Sequence, residues 1–249
     1  MKKNSIKNKL VELNPNVSVD CVIFGFDFEK LNVLLIDRGT TLGIPLALPG
    51  NLIYNSENLD EAASRVLEEL AGLKNIYLEQ IGAFGDPLRI TKITDQEWLK
   101  AMRAEPSARV ITVAYFSLVK MSDYVPHASS FAKNASWVSV QEITELAFDH
   151  LEILTTAKES LKQKIRRQPI GFNLLPEKFT LSQLHRLYES ILEKPLDKRN
   201  FRRKIQKLDI IESLKEKQKG VPHKPSQLFK FNKEKYELLT KIGFDNFGF

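Results

Sequence analysis

The sequence contains a single cysteine, Cys21, which excludes a disulfide within the chain. Cys21 lies in the apolar run VSVDCVIFGF with no histidine nearby, so we expect a small core residue rather than a catalytic thiol. The sequence also lacks any run of about 18 uncharged apolar residues, and its basic start leads into no apolar segment. We therefore expect a cytoplasmic protein with no membrane partner.

Positive charge is scarce in the first part of the chain and abundant in the last. Residues 1–160 carry 16 Lys and Arg against 21 Asp and Glu, whereas residues 161–249 carry 21 against 10. The overall net charge of +6 therefore combines −5 with +11. This asymmetry predicts a C-terminal domain that binds a polyanion, joined to a domain that binds something else, with a solvated basic surface as the alternative.

The first 160 residues alternate between strand-like and helix-like patterns. Strands are predicted at 17–27, 30–39, 76–86, 109–119 and 135–140 from their Val, Ile, Leu and Phe content. An amphipathic helix is predicted within residues 57–73, with Gly72 as its stop. This order of elements predicts an α/β/α sandwich.

A second helix is predicted to link this sandwich to the rest of the chain. It starts at about Asp149, a candidate N-cap, and continues to residue 167. Its apolar face is predicted to contain Leu151, Leu154, Ala157, Leu161 and Ile165. The prolines, the glycine and the change in charge balance that follow place a domain boundary near residue 168, so that residues 1–168 and 169–249 form two domains.

One segment, GNLIYNSENLDEAASRVLEELAGL at residues 50–73, combines a loop with a polar-faced helix. It resembles the Nudix box, because that pattern is matched by ALPG before the segment and by Arg65, Leu67, Glu69, Gly72 and Leu73. In a Nudix box, several carboxylates on one helical face hold divalent cations against a pyrophosphate. The resemblance implies a Nudix-like fold and raises the question of hydrolysis.

Most of the carboxylates that this chemistry requires are missing. Val66 and Leu70 occupy two of the three principal ligand positions, and Glu69 alone remains of that set. One extra residue in the loop also places Ser56 at the regular Glu position, with Glu57 one residue late. We therefore predict that the chain is not an enzyme, holds no metal and needs no cofactor.

The substrate cleft of such a fold can persist as a pocket that recognises a small effector without cleaving it. Candidate lining residues, placed by the resemblance, are Arg38, Leu46, Glu69, Asp86 and Arg109. Asp86 and Arg109 flank an insertion, LRITKITDQEWLKAMRAEPSA, and Arg38 and Arg109 could meet a phosphate without a metal. Each of the five can equally be a structural or surface residue.

The basic C-terminal third begins with a clear helix signal. Thr180 and Gln183 form a capping box, and Pro195 is expected to end the helix. The apolar face of this helix is formed by Leu181, Leu184, Tyr188 and Ile191. Farther along, IIESLK and SQLFKFN read as two strands around the basic loop KEKQKGVPHKP.

Between these elements lies a second helix, KRNFRRKIQKL, capped by Asp197. Phe201 and Ile205, together with Leu208, recur at helical spacing and must face inward. The residues that then point outward are Lys198, Arg199, Asn200, Arg202, Arg203, Gln206 and Lys207. Arg can contact guanine, Gln or Asn can contact adenine, and Lys or Arg can meet phosphates. With Lys224 of the loop, these residues are our predicted DNA contacts in a winged helix-turn-helix.

The degraded Nudix box, LAFDHLEIL, FTLSQLHRLYE and PLDKRNFRRKI together resemble the Nudix-related transcriptional regulators over about residues 15–235. In that family a Nudix-like domain senses a metabolite, and a winged helix binds double-stranded operator DNA as a homodimer. Some members respond to ADP-ribose, and a related branch regulates the catabolism of arabinose and other sugars. Because the metal-binding carboxylates are lost here, L-arabinose or another sugar is favoured as the effector, with ADP-ribose next.

Two other functions remain open on the sequence alone. The chain can be a Nudix hydrolase of a nucleoside diphosphate derivative such as ADP-ribose, with an accessory nucleic-acid-binding domain. It can also be an interaction module whose basic face binds an acidic protein, although no motif favours this. RNA is a weaker candidate than DNA, because no surface strand carries interleaved aromatic and basic residues.

Overall fold

The computed structural model describes residues 12–41, 43–124, 126, 132–222 and 224–242, and its N-terminal part is organised around one mixed sheet. Within the described residues the strands of this sheet are β1 (Leu13–Phe26), β2 (Leu31–Asp37), β3 (Leu46–Ala47), β4 (Gly50–Tyr54), β5 (Glu79–Phe84), β6 (Ile111–Leu118) and β7 (Asn134–Ser139). The central path runs β3-β2-β1-β6-β5, with β4 paired to β1 and β7 to β2. The pairing of β1 with β6 is parallel, and the other pairings are antiparallel.

Helices cover both faces of this sheet. They are α1 (Leu59–Ala71), α2 (Ile93–Met102) and α3 (His150–Arg167). Side chains alternate along β1, so Val22 and Phe24 pack in the cluster that contains α3, whereas Cys21 and Ile23 pack in the cluster that contains α1. This arrangement is the predicted α/β/α sandwich. Cys21 is fully buried in it, and burial raises the pKa of its thiol far above the usual value, as expected of a core residue.

The boundaries of α1 follow from local sequence. The Asn58 side chain accepts hydrogen bonds from the backbone N–H groups of Asp60 and Glu61, and the Glu61 carboxylate in turn accepts one from the Asn58 N–H. At the other end Gly72 adopts a left-handed conformation with φ of 70°, which favours glycine. The predicted stop at Gly72 is therefore confirmed.

The linking helix α3 begins where the sequence predicted, with Asp149 at its N-cap position, but one residue of its predicted apolar face was wrong. Asp149 occupies the N-cap position, yet its side chain makes no capping hydrogen bond and instead accepts two from Arg89. Leu151 was assigned to the apolar face but is 37% exposed, and the buried face includes Ile153 instead. The Asp149 carboxylate is thus occupied by Arg89 of the insertion rather than by the first turn of α3.

The C-terminal part, from residue 168 onward, is the predicted winged helix. Its elements are β8 (Lys178–Phe179), α4 (Leu181–Leu192), α5 (Lys198–Lys207), β9 (Ile211–Lys217), β10 (Gln227–Phe231) and α6 (Lys233–Ile242). The three strands form an antiparallel sheet in the order β8-β10-β9. The capping box of Thr180 and Gln183 is present, and α4 ends at Leu192, three residues before Pro195. A left-handed Glu193, with φ of 52°, follows it.

The two parts share a continuous hydrophobic cluster, which extends from β1 through α3 and α4 to β10. Polar contacts support this junction. The backbone N–H of Leu31 donates to the Ser190 hydroxyl at 2.8 Å, and Glu193 accepts from Lys158 and Lys162 at 2.7 and 2.6 Å. The predicted boundary near residue 168 follows directly on the end of α3. Among the described residues, no helix has the length and apolar character needed to cross a membrane.

Candidate functional site

The outward face of α5 is the first candidate site. Phe201 and Ile205 are buried beneath α4, and the Phe201 ring packs 5.2 Å from the ring of Tyr188. Leu208, the third predicted core residue, is half-buried. The side chains on the opposite face and flanks are all exposed: Lys198, Arg199, Asn200, Arg202, Arg203, Gln206 and Lys207. The structure therefore confirms the predicted orientation of α5.

Local hydrogen bonds hold this face in place. The Asp197 carboxylate accepts from the Asn200 N–H at 2.7 Å and caps α5, as predicted. The Arg203 guanidinium donates to the Asn200 side-chain oxygen at 2.9 Å, which orients both groups on the exposed surface. Two adjacent polar side chains are thus presented together on the exposed face of α5.

A basic hairpin follows α5. Lys224, the predicted loop contact, is exposed between β9 and β10, whereas His223 of the same loop lies outside the described residues. Lys217 and Lys219 are exposed on the same hairpin and were not among the predicted contacts, although the run KEKQKG signalled them. The hairpin that follows α5 in the chain therefore exposes cations of its own.

The Nudix-like segment forms a second candidate site, centred on Arg65. Its guanidinium donates to Glu57 Oε1 at 2.6 Å and to Glu69 Oε2 at 3.0 Å, and it lies 4.1 Å from the centroid of the Tyr54 ring. Glu57 therefore reaches Arg65 despite the extra residue in the loop. Burial acts to raise the pKa of Glu57, but hydrogen bonds from Arg65 and the Tyr54 N–H lower it, so the carboxylate is ionised and paired.

This segment does not fit a metal-bound pyrophosphate. Val66 and Leu70, at two of the usual ligand positions, are fully buried in the core between α1 and the sheet. Glu69 accepts a hydrogen bond from Arg65 rather than facing other carboxylates. In the part of the chain that the structure describes, no group of three or more His, Cys, Asp and Glu side chains could hold a metal ion.

A small cavity of about 120 Å³ lies beside this segment, and the insertion forms its wall. The insertion contains α2, which is anchored by the fully buried Leu99 against Leu52, Ile90 and Val110. The charged or titratable residues that line the cavity are Asp20, Arg38, Arg89, Arg103 and His150. It is therefore a polar cavity enclosed by β1, β4, α2 and the start of α3, and we name it the insertion cavity.

Arg38 is the predicted effector residue that lines the insertion cavity. Its guanidinium donates to Asp95 at 3.0 Å and to the carbonyl of Ile44 at 2.6 Å. It also lies 5.0 and 4.8 Å from the ring centroids of Trp98 and Phe148. Burial lowers the pKa of Arg38, although Asp95 acts in the opposite direction. The side chain therefore fixes α2 to the sheet through Nη2, whereas its Nε and Nη1 groups are buried without a hydrogen-bond partner in the described part of the chain.

The four other predicted effector residues lie outside the insertion cavity. Leu46 packs against the core, and Glu69 pairs with Arg65. Asp86 is exposed and accepts a hydrogen bond from the Leu88 N–H, whereas Arg109 is exposed and donates to the Gly85 carbonyl. The structure thus brings only Arg38 of the five to this cavity, and a role in effector binding stays a prediction for each.

A buried charge cluster forms the floor of the insertion cavity. Arg89 donates to both carboxylate oxygens of Asp149, at 2.7 and 2.8 Å, and approaches Asp20 at 3.4 Å. His150 accepts the Leu48 N–H on Nδ1, which leaves Nε2 to face Asp20 at 3.4 Å. Burial acts to raise the pKa of Asp20, but His150 and Arg89 outweigh it and hold the pKa far below its usual range.

Sequence reasoning missed Asp20, Arg89, Arg103 and His150. Asp20 carried a signal, since a carboxylate inside the apolar run VSVDCVIF needs a buried partner. Arg89 and Arg103 both lie in the insertion, which was noted but not assigned to any structure. Their partners are distant in sequence, and no local pattern identifies them.

A larger cleft of about 770 Å³ separates the N-terminal part from the winged helix. It is lined by residues of β5, β6 and α3 on one side and by the 168–175 segment, β10 and α6 on the other. Lys164 and Lys120, which line it, pair with Glu79 and Asp123, respectively. Its charged groups therefore balance each other within the protein.

Comparison with known proteins identifies the family. The profile of the NrtR DNA-binding winged helix domain matches residues 171–231. The ADPR responsive transcriptional repressor NtrR of Acinetobacter baylyi is 30% identical over 230 residues, which cover 90% of this chain and 85% of that protein. The chain belongs to the NrtR family of transcriptional regulators.

Of two further similar proteins, one spans nearly the whole chain and one matches 62% of it. The crystal structure of Shewanella oneidensis NrtR is similar with a TM-score of 0.66 and 26% identity, covering 86% of this chain and 93% of that one. An ADP-ribose pyrophosphatase of Methanocaldococcus jannaschii is 28% identical over 156 residues, or 62% of this chain and 79% of that protein. The fold is thus a Nudix-like α/β/α sandwich followed by a winged helix-turn-helix.

Proposed function

We propose that the chain is a DNA-binding transcriptional repressor whose affinity for operator DNA is set by ADP-ribose bound to its Nudix-like domain. The DNA-binding part of this proposal rests on the orientation of α5. Phe201 and Ile205 face the core while every predicted contact residue of that helix is exposed. Basic residues arranged on one helical face, next to a basic hairpin, suit a helix in the major groove.

Within this proposal the residues of α5 have different tasks. Arg203 and Gln206, opposite the buried stripe, would meet base edges, where Arg pairs with guanine and Gln with adenine. Lys198, Lys207 and Lys224, at the helix ends and on the hairpin, would meet phosphates and set the position on the duplex. A homodimer, also proposed, would place two such helices on half-sites related by two-fold symmetry.

The proposed effector is ADP-ribose, which replaces the L-arabinose that the sequence alone favoured. The Acinetobacter baylyi relative is named an ADPR responsive repressor, and none of these relatives supports a sugar effector. The preference assumed that a pyrophosphate needs a metal, but arginine binds phosphate oxygens directly through charge-assisted hydrogen bonds. Loss of the Nudix carboxylates therefore does not argue against ADP-ribose.

The same residues support binding without hydrolysis. Val66 and Leu70 are buried, and Arg65 contacts both Glu57 and Glu69. The likeness to an ADP-ribose pyrophosphatase nevertheless makes hydrolysis the second candidate function. AMP release from ADP-ribose with Mg²⁺ or Mn²⁺ above the protein-free rate, abolished by Glu69→Gln, would establish that alternative.

The linking helix α3 provides a physical connection between effector and DNA. Its first turn lies at the insertion cavity, where Asp149 pairs with Arg89. Its later turns pair with the winged helix through Lys158, Lys162 and Glu193. An effector that binds one arrangement of α3 more tightly than another shifts operator affinity by the difference in binding free energy.

The proposal is tested by fluorescence anisotropy of labelled DNA from upstream of the protein's own gene. We expect binding that prefers this DNA over an unrelated duplex and that ADP-ribose shifts, whereas L-arabinose does not. Arg203→Ala should lose sequence preference, and Lys74→Gln, an exposed lysine of the Nudix-like part, should behave as wild type. Binding without sequence preference and without any response to ADP-ribose would refute the proposal.

A further inference from the structure

We propose that the insertion cavity receives a phosphate group of the effector on the Arg103 guanidinium, without a metal ion. The inference rests on the proposed function, because it assumes a phosphate-bearing effector, and it goes further by naming the site and the contact. Arg103 directly follows α2, and its backbone N–H is fixed by the Leu99 carbonyl at 2.8 Å. The backbone of Arg103 is therefore held at the end of α2, and its side chain lines the cavity.

Arg103 differs from the other arginines that line the cavity. Arg38 pairs with Asp95 through Nη2 but keeps Nε and Nη1 buried without a hydrogen-bond partner among the residues described, and Arg89 pairs with Asp149. Within the described residues, the Arg103 guanidinium makes no hydrogen bond and no ion pair. An arginine side chain offers five N–H donors, and Arg38 in the same cavity wall adds Nε and Nη1 groups that are buried without a hydrogen-bond partner in that part of the chain. A hydrogen-bond acceptor on a bound ligand would therefore provide the Arg103 guanidinium with a partner.

The electrostatic environment of Arg103 favours an anion as that partner. Burial is the main cause that lowers the pKa of Arg103, Asp20 opposes it and Arg89 acts with it, and the net pKa is about 10. The carboxylate of Asp20 already faces Arg89 and His150. A phosphate placed against Arg103 would restore the hydrogen bonds lost to burial and offset the repulsion from Arg89.

The size of the cavity limits what it can enclose. Its volume of about 120 Å³ is well below the 300 to 1,000 Å³ typical of pockets that enclose a whole organic ligand. One compact group therefore fits inside, and the remainder of a nucleotide would lie at the opening. Leu13 and Met102 mark that opening, because both line the cavity and are 41% and 49% exposed.

The test measures ligand binding by calorimetry in EDTA, with ADP-ribose, inorganic pyrophosphate and L-arabinose as separate probes. Arg103→Met removes the charge and the hydrogen-bond donors but keeps an unbranched apolar side chain, and Arg103→Lys keeps a charge. Lys100→Met is the matched control, since Lys100 is a cation of α2 that is exposed and pairs with Glu97. Circular dichroism confirms that each variant is folded.

We expect wild type to bind ADP-ribose and pyrophosphate in EDTA, and Arg103→Met to weaken both by about 10- to 100-fold, as loss of a charged hydrogen bond does. Arg103→Lys should recover part of this loss, and Lys100→Met should bind as wild type does. Operator affinity without ligand should not change in any variant, since Arg103 lies in the Nudix-like part.

Three outcomes would overturn the inference, and they separate it from the proposed function. Equal binding of ADP-ribose by wild type and Arg103→Met would show that Arg103 does not contact the effector. The proposed regulatory function would be unaffected by that result. Binding that EDTA abolishes shows that a metal is needed. If wild type binds L-arabinose but neither phosphate probe, both the phosphate site and the ADP-ribose effector are wrong.

Discussion

The salt dependence of DNA binding tests the proposed interface most directly, and Lys198→Gln is the most informative change. Lys198 is the first residue of α5, where a positive charge opposes the helix dipole, so its removal should not destabilise the helix. It makes no ion pair with any residue that the structure describes. An effect on DNA binding would therefore reflect a lost phosphate contact rather than a damaged fold.

The expected magnitude follows from the number of exposed cations. If Arg203 contacts a base, the predicted phosphate contacts are the remaining cations of the set: Lys198, Arg199, Arg202, Lys207 and Lys224. At about 0.9 released counterions per neutralised phosphate, the slope of log K against log salt is about −4.5 for one winged helix and about −9 for a dimer. For one winged helix, affinity should then fall about 500-fold between 50 and 200 mM salt.

The assay is anisotropy of a labelled duplex at several salt concentrations. Lys198→Gln should reduce the steepness of the slope by about 1 for each winged helix bound, with a matching loss of affinity. Lys74→Gln removes an exposed cation from the Nudix-like part and should leave the slope unchanged. A wild-type slope shallower than about −2, or equal slopes for wild type and Lys198→Gln, would show that α5 does not track the phosphate backbone.

Three further predictions concern the buried residues around the insertion cavity. Asp149→Asn removes one partner of the buried pair with Arg89 and should lower the free energy of unfolding by about 3 kcal/mol in urea titrations, whereas Glu142→Gln in the exposed pair with Lys30 should have no measurable effect. No difference between these two variants would show that the Arg89 pair adds nothing to stability. Gly50→Ala would place a Cβ 1.8 Å from Asp20 Oδ1 and should cost about 1 to 3 kcal/mol, whereas Gly82→Ala meets no atom within 4 Å. Equal melting temperatures for the two alanine variants would contradict this packing. Because the pKa of Asp20 is far below its usual value near 3.9, its ionisation stabilises the fold above about pH 4, and this contribution is lost as the pH falls toward the folded-state pKa. Stability should therefore decline more gently with acid in Asp20→Asn, and an unchanged pH profile from 5 to 2 would refute the pairing with His150 and Arg89.

Much of the architecture was predictable because it depends on neighbours in sequence. The helices α1, α4 and α5 are each marked by an apolar repeat and by a capping side chain within three residues, at Asn58, Thr180 and Asp197. The outward face of α5 follows from the same periodicity, since fixing Phe201 and Ile205 inward determines where every other side chain points. Local geometry was sufficient to identify the winged helix and its exposed basic face.

The Nudix-like segment was predicted in part. The loss of carboxylates at Val66 and Leu70 is visible in the sequence, and both residues are buried as an apolar stripe requires. The position of Glu57 was not predictable, because the extra loop residue suggested that it was misplaced. In the structure the loop closes so that Glu57 reaches Arg65. Loop closure of this kind depends on backbone turns that a motif count does not capture.

The insertion cavity was decided by tertiary structure alone. Its ion pairs join residues far apart in the chain: Arg38 with Asp95, Arg89 with Asp149 and Arg89 with Asp20. Burial determines which partner each charge finds, and so Asp149 pairs with Arg89 instead of capping α3. The sequence by itself determined that one part of this protein suits DNA and that the Nudix carboxylates are lost, because both depend on residue identity and local spacing. Only the packing of the insertion against β1, β4 and α3 decided that Arg103 lies in a cavity wall without a hydrogen-bond partner among the described residues, because desolvation and long-range pairing exist only in the folded chain.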